Sequence, residues 1–479
     1  MKNKILVSLF LISVFFLCFL PVIDTDFGWH YRCGEAFLKS GSFSLCTKNN
    51  FSYFLPNYKF NYPDFLYDVG LAAIYDRFGF IGISFIGGII MVLTAVFFLY
   101  LIDIQLWLKI TAFYLSFFLS YPVFNLGLRS QVFSYLFFLI TLFLLKKSEK
   151  NSKYLFFFPF LFLVWVNTHI GFFIGLLILF FYLLGMLIKS PKIDKRLLFF
   201  GIIFIFSLSI TCLNFFGVET YREIVNHAFS PLNQMIAEWV APPLWEVFLI
   251  IVLTIGSLII TTRQKNKSVF NILLILFFSI LAFQARRNLP FFYTFFFYVL
   301  FNEKKFYDLF QNQLKIVSIK IDNIIASIIV TLSIFLFIIQ LPSTISFDSS
   351  WNNYCNLGLS KYPCQAIKNY PKLSGNVYAM YEWGGFLIWQ KPNIKVFIDG
   401  RMPAWKDKNG KSPYQVFLDI IQTQPSWNEK LKKFKTNYLL ISNETFLDLL
   451  LKEKAAQYGW QEKYRDTNTV IYQNLTKKY

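Results

Sequence analysis

Charged residues and histidines are scarce in this sequence of 479 residues: charged side chains make up 15% of it, and only three histidines are present. Hydrophobic residues, by contrast, make up 56%, and apolar runs close to the ~20 residues that cross a bilayer recur along most of the chain. The sequence therefore predicts a polytopic α-helical membrane protein with about eleven transmembrane helices. The predicted spans are 5–23, 80–102, 106–123, 131–146, 154–167, 170–188, 197–215, 245–262, 268–284, 289–302 and 322–341.

The loops between alternate spans lack a Gly-rich phosphate loop and a dinucleotide fingerprint. An enzyme that draws ATP or a nucleotide sugar from the cytosol is therefore not expected. These loops are instead short and rich in cations, which places them and the amino terminus in the cytoplasm. Their cations are Lys146, Lys147, Lys150 and Lys153, then Lys189, Lys192, Lys195 and Arg196, then Arg263, Lys265 and Lys267, then Lys304, Lys305, Lys315 and Lys320.

The first apolar run lacks a small-residue cleavage site, although Lys2 and Lys4 precede it as in a signal peptide. We interpret it as a retained anchor, so that an odd number of spans leaves the 24–79 loop and the chain after about 342 on the outer side. This topology, with contact to anionic lipid, accounts for much of the +19 net charge, and no nucleic-acid partner is expected. The predicted location is a bacterial inner (plasma) membrane, with a cytoplasmic amino terminus and an extracytoplasmic carboxyl-terminal domain.

Four of the six cysteines fall in the predicted outer segments. Cys33 and Cys46 share the first outer loop, and Cys355 and Cys364 share the start of the tail. In an oxidising compartment each pair can form a local disulfide, and the alternative is four unpaired thiols.

The last part of the chain differs in composition, with more charge and mixed periodicity. We therefore divide the sequence into a transmembrane domain, 1–344, whose first outer loop carries amphipathic helices, and an extracytoplasmic α/β domain, 345–479. Short β-rich runs are predicted as strands and the stretches between them as helices. The strands are 376–380, 395–398, 437–442 and 469–473, and the helices lie around 414–423 and 444–458.

An acidic and aromatic motif follows the first span, where the chain leaves the bilayer: Asp24-Thr25-Asp26-Phe27-Gly28-Trp29-His30. The stretch after Asp26 can form a helix ended by Gly41, with His30 one turn from Asp26 on the same face. Asp26 then either caps this helix or serves chemistry. As a functional residue it is a general base, or it binds a divalent cation together with Asp24.

Several arginines and other polar residues also fall at the predicted outer face. Arginine is costly at membrane depth and suits bidentate contact with phosphate, so Arg129, Arg286 and Arg287 can hold a lipid-linked phosphate or diphosphate. Snorkelling to lipid headgroups is the alternative for each. His169 is otherwise a packing histidine, and Asp399 with Arg401 otherwise forms a turn salt bridge.

The order of these motifs resembles a group of bacterial multi-pass proteins related to the GT-C glycosyltransferases, and the resemblance covers nearly the whole chain. After the acidic motif come Gly34, Phe51-Ser52-Tyr53, Asp64-Phe65-Leu66, Leu128-Arg129-Ser130-Gln131-Val132-Phe133-Ser134, Trp165-Val166-Asn167-Thr168-His169-Ile170-Gly171-Phe172, Asn214-Phe215-Phe216-Gly217, Glu238-Trp239, Arg286-Arg287-Asn288-Leu289-Pro290, Tyr381-Glu382-Trp383-Gly384-Gly385 and Ile398-Asp399-Gly400-Arg401. Two turns depart from the group's pattern, because Phe215 stands where a proline is usual and Ser130 replaces the proline of an Arg-Pro-Gln pattern.

GT-C enzymes generally transfer a sugar from a polyprenyl-phosphate or polyprenyl-diphosphate carrier at the outer face. The resemblance thus implies a membrane glycosyltransferase of the cell envelope that takes a polyprenyl-linked donor and a glycan, lipid or protein acceptor, with inversion if transfer is a single displacement. It implies Asp26 as the first candidate for the essential carboxylate, then Asp24, with Asp64 as a further acid. A divalent cation, Mg or Mn, is possible on Asp24 and Asp26. The substrate-binding candidates are Trp29, His30, Arg129, Gln131, Asn167, His169, Glu238, Arg286, Arg287, Asp399 and Arg401.

Other functional classes share parts of this pattern. A polymerase or ligase of surface polysaccharide also acts on lipid-linked glycans outside the cell, and the sequence does not separate it from a single-sugar transferase. A lipid or polysaccharide flippase is expected to place ionisable residues at mid-membrane in broken helices, whereas here they gather at one face. A purely structural receptor does not explain why acids, arginines and histidines gather at the predicted outer face.

Overall fold

The computed structural model of the chain describes residues 2–189, 194–228, 236, 238–263, 268–302, 324, 326–335, 338, 355, 361–407 and 409–475. Short 3-10 helices lie at Ser44–Cys46, Ser152–Phe156, Arg286–Asn288 and Tyr381–Trp383. The α-helices are α1 (Lys2–Cys18), α2 (Phe27–Ser40), α3 (Phe65–Leu101), α4 (Leu106–Leu119), α5 (Tyr121–Phe124), α6 (Ser130–Ser148), α7 (Phe157–Val166), α8 (Phe172–Lys189), α9 (Lys195–Ile210), α10 (Glu219–Ala228), α11 (Leu244–Thr262), α12 (Val269–Gln284), α13 (Leu289–Asn302), α14 (Ala326–Phe335), α15 (Cys364–Asn369), α16 (Gly384–Gln390), α17 (Pro413–Ile421), α18 (Trp427–Lys433) and α19 (Phe446–Tyr458).

The predicted spans up to residue 302 each overlap a helix. Within the described residues, four helices, α3, α6, α8 and α11, are long and apolar enough to cross a membrane, and shorter apolar helices accompany them. The last predicted span, 322–341, lies partly outside the described residues and contains α14. The chain thus has a helical membrane part, while the count of eleven crossings stays a prediction.

Helix α3 joins the surface to the membrane part. Its backbone leaves the helical conformation at Gly79, where φ is 61°. A side chain is strained at such a φ, whereas glycine adopts it freely. Before the kink the helix carries Asp68 and Asp76, and after it the sequence is apolar. Gly79 therefore lets one continuous element carry acidic residues before the kink and an apolar stretch after it.

Helix α2 lies in the first outer loop and follows the predicted bounds. It starts after Asp26 and ends at Gly41, whose φ is 69°. A disulfide joins Cys33 of this helix to Cys46, and a second disulfide joins Cys355 to Cys364, so both predicted pairs are formed.

The tail contains a five-stranded sheet in the order β2-β1-β3-β5-β4. Strand β1 is parallel to β2 and β3, and β5 runs antiparallel between β3 and β4. The four predicted strands are confirmed as β1, β2, β3 and β5. Strand β4 was not predicted, because exposed polar residues fill positions 461–463 and leave no apolar alternation. The strands are β1 (Gly375–Ala379), β2 (Ile394–Val396), β3 (Tyr438–Ser442), β4 (Trp460–Arg465) and β5 (Thr469–Asn474).

The first outer loop extends this sheet. Tyr53 N–H donates to the carbonyl of Val396 at 3.1 Å, and Val396 N–H donates to the carbonyl of Phe51 at 3.0 Å. The Ser52 hydroxyl donates to the carbonyl of Phe397 at 2.8 Å. The loop and the tail share one buried apolar cluster, so the loop that carries the acidic motif is fixed to the tail as well as to the membrane part.

Candidate active site

A cavity of about 670 Å³ lies where the first outer loop, the start of α6, the 286–288 turn and the tail meet. It brings together residues that are far apart in the sequence. Twelve of the fourteen predicted site residues line it: Asp24, Asp26, Trp29, His30, Asp64, Arg129, Gln131, His169, Glu238, Arg286, Arg287 and Arg401.

Asp26 stands at the start of α2 but does not cap it. No hydrogen bond joins its side chain to the backbone of the helix, and its buried Oδ1 has no hydrogen-bond partner among the described residues. Burial raises the pKa of Asp26 to about 7, the charge of Asp24 adds to the rise, and Arg129 opposes it. The side chain therefore faces the cavity as a carboxyl group that titrates near neutral pH, as a general base requires.

His30 lies between two carboxyl groups. One belongs to Asp68 of α3, and the other belongs to Asp64, the residue just before that helix. Its Nδ1 is 2.5 Å from Asp68 Oδ1, and its Nε2 is 4.0 Å from Asp64 Oδ2. The contact with Asp68 orients the ring and leaves Nε2 toward Asp64. Burial lowers the pKa of His30 well below its usual value, and Arg129 adds to this, so the ring is neutral.

Asp64 is buried, and neither of its carboxylate oxygens has a hydrogen-bond partner in the described part of the chain. Burial raises the pKa of Asp64 well above its usual value, and the charge of Asp26 adds to the rise. Burial therefore favours the protonated form of Asp64, whose carboxyl group lines the cavity.

Arg129 bridges two carboxylates that come from separate parts of the chain. Its Nε is 3.2 Å from Asp24 Oδ2, and its Nη1 is 2.5 Å from Glu238 Oε2. Asp24 Oδ1 in turn accepts the backbone N–H of Asp26 at 3.2 Å. Burial raises the pKa of Glu238, but Arg129 and Arg287 outweigh it and bring that pKa to about 2.

The 286–288 turn supplies two further arginines. The guanidinium of Arg287 lies 4.2 Å from the ring centre of Trp239, and its carbonyl accepts from Gln131 Nε2 at 3.2 Å. The buried Nε of Arg286 has no hydrogen-bond partner among the described residues. These arginines make one end of the cavity cationic and poised for an anion.

His169 is held as a donor at the same end. Its Nδ1 accepts from the Gly171 N–H at 3.1 Å and lies 2.7 Å from the Ser134 hydroxyl, whose oxygen accepts from the Trp165 indole at 2.7 Å. With Nδ1 accepting, the ring proton sits on Nε2. Burial lowers the pKa of His169 well below its usual value, with Arg287 adding to the effect, so this proton is donated by a neutral ring.

The tail closes the other end of the cavity. Gly400 lies directly against Asp26, since a Cβ built on it would be 1.7 Å from Asp26 Oδ1. Arg401 forms a buried two-point ion pair with Asp399, through Nε and Nη2 at 2.7 Å each. Its Nη1 has no partner in the described part of the chain. The predicted turn salt bridge is therefore formed, and Arg401 also faces the cavity.

Two predicted site residues do not line the cavity. Asn167 donates to the carbonyls of Leu163 and Leu213, so it joins helix ends. Asp399 forms an ion pair with Arg401. The structure adds residues that the sequence did not single out for the site, namely Asp68, Tyr62, Tyr381 and His227. Of these, Asp68 could have been found, because it follows Asp64 by one helical turn.

The predicted pair of Asp24 and Asp26 does not fit a divalent cation. Both oxygens of Asp24 are engaged, one by Arg129 and one by the backbone of Asp26. Across the described residues, no group of three or more histidine, cysteine, aspartate and glutamate side chains is placed to hold a metal ion.

Solved structures of an archaeal enzyme share this architecture. The apo oligosaccharyltransferase of Archaeoglobus fulgidus matches over 98% of this chain and 74% of its own, with a TM-score of 0.54 and 13% identity. The same organism's oligosaccharyltransferase AglB, in complex with an inhibitory peptide and a dolichol-phosphate, matches over 99% and 74%, with a TM-score of 0.56 and 12% identity. A form tethered to an acceptor peptide containing the NVT sequon matches over 98% and 74%, with a TM-score of 0.51 and 13% identity.

No protein-family model and no curated protein sequence matches the chain. The likeness in structure nevertheless spans the helical membrane part and the tail together, because it covers nearly all of this chain. The chain therefore shares the fold of these oligosaccharyltransferases, which agrees with the resemblance in its sequence.

Proposed function

We propose that the protein is a glycosyltransferase that moves a sugar from a polyprenyl-phosphate or polyprenyl-diphosphate carrier to a glycan, lipid or protein acceptor outside the cytoplasm. The observation that carries this proposal is the concentration of unpaired buried polar atoms around the cavity. Seven of the thirteen such side-chain atoms in the described residues belong to cavity-lining residues: Asp26 Oδ1, Trp29 Nε1, Asp64 Oδ1 and Oδ2, Asn125 Oδ1, Arg286 Nε and Arg401 Nη1.

Buried polar atoms without partners are costly, so their clustering indicates a polar ligand that completes them. The set includes both donors, such as Arg401 and Trp29, and acceptors, such as Asp26. A sugar matches such a set, because each hydroxyl both donates and accepts. Trp29, Phe60 and Tyr62 add aromatic surface to the same wall.

The cationic end of the cavity suits the carrier. A departing polyprenyl phosphate is an anion, and Arg286, Arg287 and the Nε2 proton of His169 supply donors for it. One structural neighbour is a complex with dolichol-phosphate, a lipid phosphate of this kind. The similar fold supports a comparable donor for this chain.

Asp26 is the proposed general base. Its pKa of about 7 lets it take a proton from an acceptor hydroxyl or amine as that group attacks the anomeric carbon. Attack from the side opposite the leaving phosphate inverts the anomeric configuration. Gly400, Arg401 and Tyr381 of the tail lie on the same cavity wall, so the tail is placed to shape acceptor access.

The test uses the purified full-length chain in proteoliposomes with a panel of radiolabelled polyprenyl-phosphate and polyprenyl-diphosphate sugars and a membrane extract as acceptor. We expect release of unlabelled carrier together with a labelled product that carries one added sugar. Products of increasing length would instead identify a polymerase. Movement of the intact carrier between leaflets without release would identify a flippase and contradict the proposal.

Substituting Arg286 tests the carrier site. We expect Arg286→Ala to weaken binding of polyprenyl phosphate by roughly 10-fold to 100-fold, the range for a lost charge-assisted hydrogen bond. Binding is measured by native mass spectrometry in detergent. Arg263→Ala is the matched control. Arg263 follows the last residue of α11, and this variant should bind polyprenyl phosphate as the wild type does. Equal binding by both variants would contradict a phosphate contact at Arg286.

Asp68 is expected to act as a positioning residue through His30. We expect Asp68→Asn to lower kcat roughly 10-fold to 100-fold with little change in KM, as loss of an orienting partner does for other histidines. The control is Asp76→Asn, which removes a carboxylate of the same helix that accepts from Tyr31 at 2.8 Å. A loss shared equally by both variants would indicate a general effect on α3.

A further inference from the structure

Arg129 pairs with two acids that come from separate parts of the chain. Asp24 follows the first predicted span, and Glu238 lies in the loop before α11. Both carboxylates pair with the guanidinium of Arg129. The side chains of Arg129 and Asp24 are only 15% and 6% exposed. A charge in such a place persists only when it is paired.

Both carboxylates already have a cationic partner. Arg129 and Arg287 face Asp24 and Glu238, with Arg287 Nη1 3.9 Å from Glu238 Oε1. A divalent cation needs carboxylate oxygens as direct ligands at about 2.0–2.6 Å. Entry of such an ion would displace Arg129 and leave a buried guanidinium unpaired, which is strongly unfavourable.

We infer that the guanidinium of Arg129 takes the place of a divalent cation between Asp24 and Glu238, so that the site is built to work with this fixed cation. The inference goes beyond the proposed function and does not depend on it, because it concerns how the chain neutralises its own acids.

The fixed cation also orders the proposed base. Arg129 holds Asp24 Oδ2, and Asp24 Oδ1 receives the backbone N–H of Asp26. The start of α2 is therefore fastened to the start of α6 through one side chain. Arg129 thus ties the backbone at Asp26 in place, and it supplies positive charge beside the cavity without an exchangeable metal.

The test is a titration of the full-length protein in detergent with MnCl2, followed by the electron paramagnetic resonance signal of free Mn²⁺. We expect the wild type and its Asp24→Asn variant to bind Mn²⁺ equally, so that no bound ion depends on Asp24. We expect Arg129→Ala to bind one Mn²⁺ at least ~100-fold more tightly than the wild type, since two buried carboxylates have lost their partner. Adding Glu238→Gln to Arg129→Ala should abolish this gain.

Arg32→Ala is the matched control, because it removes an arginine from an ion pair with Glu35 on α2 without opening an acid pair in the cavity. It should bind Mn²⁺ as the wild type does. One Mn²⁺ bound by the wild type and lost in Asp24→Asn overturns the inference, and so does a folded Arg129→Ala variant that gains no Mn²⁺. Where Arg129→Ala does not fold, the comparison of the wild type with Asp24→Asn decides alone.

Discussion

Replacing Asp26 by asparagine is expected to reduce sugar transfer by about 100-fold to 10,000-fold, the usual contribution of a general base. Asparagine has the same shape but cannot take up a proton at neutral pH. Because Asp26 makes no capping hydrogen bond, the substitution leaves the hydrogen bonds at the start of α2 in place. The measurement is the rate of carrier release from a polyprenyl-linked sugar donor.

The pH dependence follows from the same carboxyl group. A base must be ionised to act, and the pKa of Asp26 is raised to about 7 by burial and by Asp24. Transfer by the wild type should therefore rise about tenfold per pH unit below pH 7 and level off above it. A flat profile between pH 6 and 8 would contradict the assignment.

The unfolding temperature shows whether the Asp26→Asn variant has lost only its base or has misfolded. A carboxyl group whose pKa is raised in the folded state favours its protonated form there, so its ionisation costs stability as pH rises from its unfolded value toward 7. Above pH 7 the wild type carries this full loss of stability, whereas the asparagine variant has no carboxyl group to ionise. At pH 8 the Asp26→Asn variant should unfold at the same temperature as the wild type or higher. An inactive variant with a lowered Tm would point to misfolding, and one that retains more than a tenth of the activity would shift the role to Asp64.

The sequence predicted the local parts of this site well. A charged motif after an apolar run, a glycine that ends α2 and alternating apolar residues in the tail are short-range patterns, and the structure contains the corresponding elements. It also predicted a gathering of arginines and acids at the outer face, because such residues are costly beside a membrane, and most of them line one cavity. Strand β4 escaped because its face is exposed and polar.

The pairings within the site could not be predicted. Arg129 and Glu238 are 109 residues apart, and Ser52 and Phe397 are 345 apart. The periodicity within a segment does not indicate which distant part of the chain it contacts. Glu238, a substrate-binding candidate in the sequence, is held by two arginines. The fit of the tail against α2 likewise depends on glycines that one sequence cannot mark as contacts.

Substituting Gly400 should have the second large effect. Its backbone φ is not in the left-handed region, so alanine is tolerated by the backbone, but the added Cβ would stand 1.7 Å from Asp26 Oδ1 and 2.7 Å from its Cγ. Either the Asp26 side chain or the tail must move. A displacement of about 1 Å in a catalytic group costs on the order of 100-fold in rate, so we expect Gly400→Ala to lose at least ~100-fold of transfer.

Gly70→Ala is the matched control, because a Cβ on Gly70 meets nothing within 4 Å and alanine is the better helix former. It should keep full activity and a Tm at or above that of the wild type. Hydrogen exchange at Ser52 and Tyr53 separates the two ways in which Gly400→Ala can act. Unchanged protection with lost transfer means that Asp26 alone has been displaced, whereas faster exchange means that the tail has left the first outer loop. Full activity in Gly400→Ala would show that the close approach of the tail to Asp26 is not needed for transfer, and that the tail does not form part of the catalytic site.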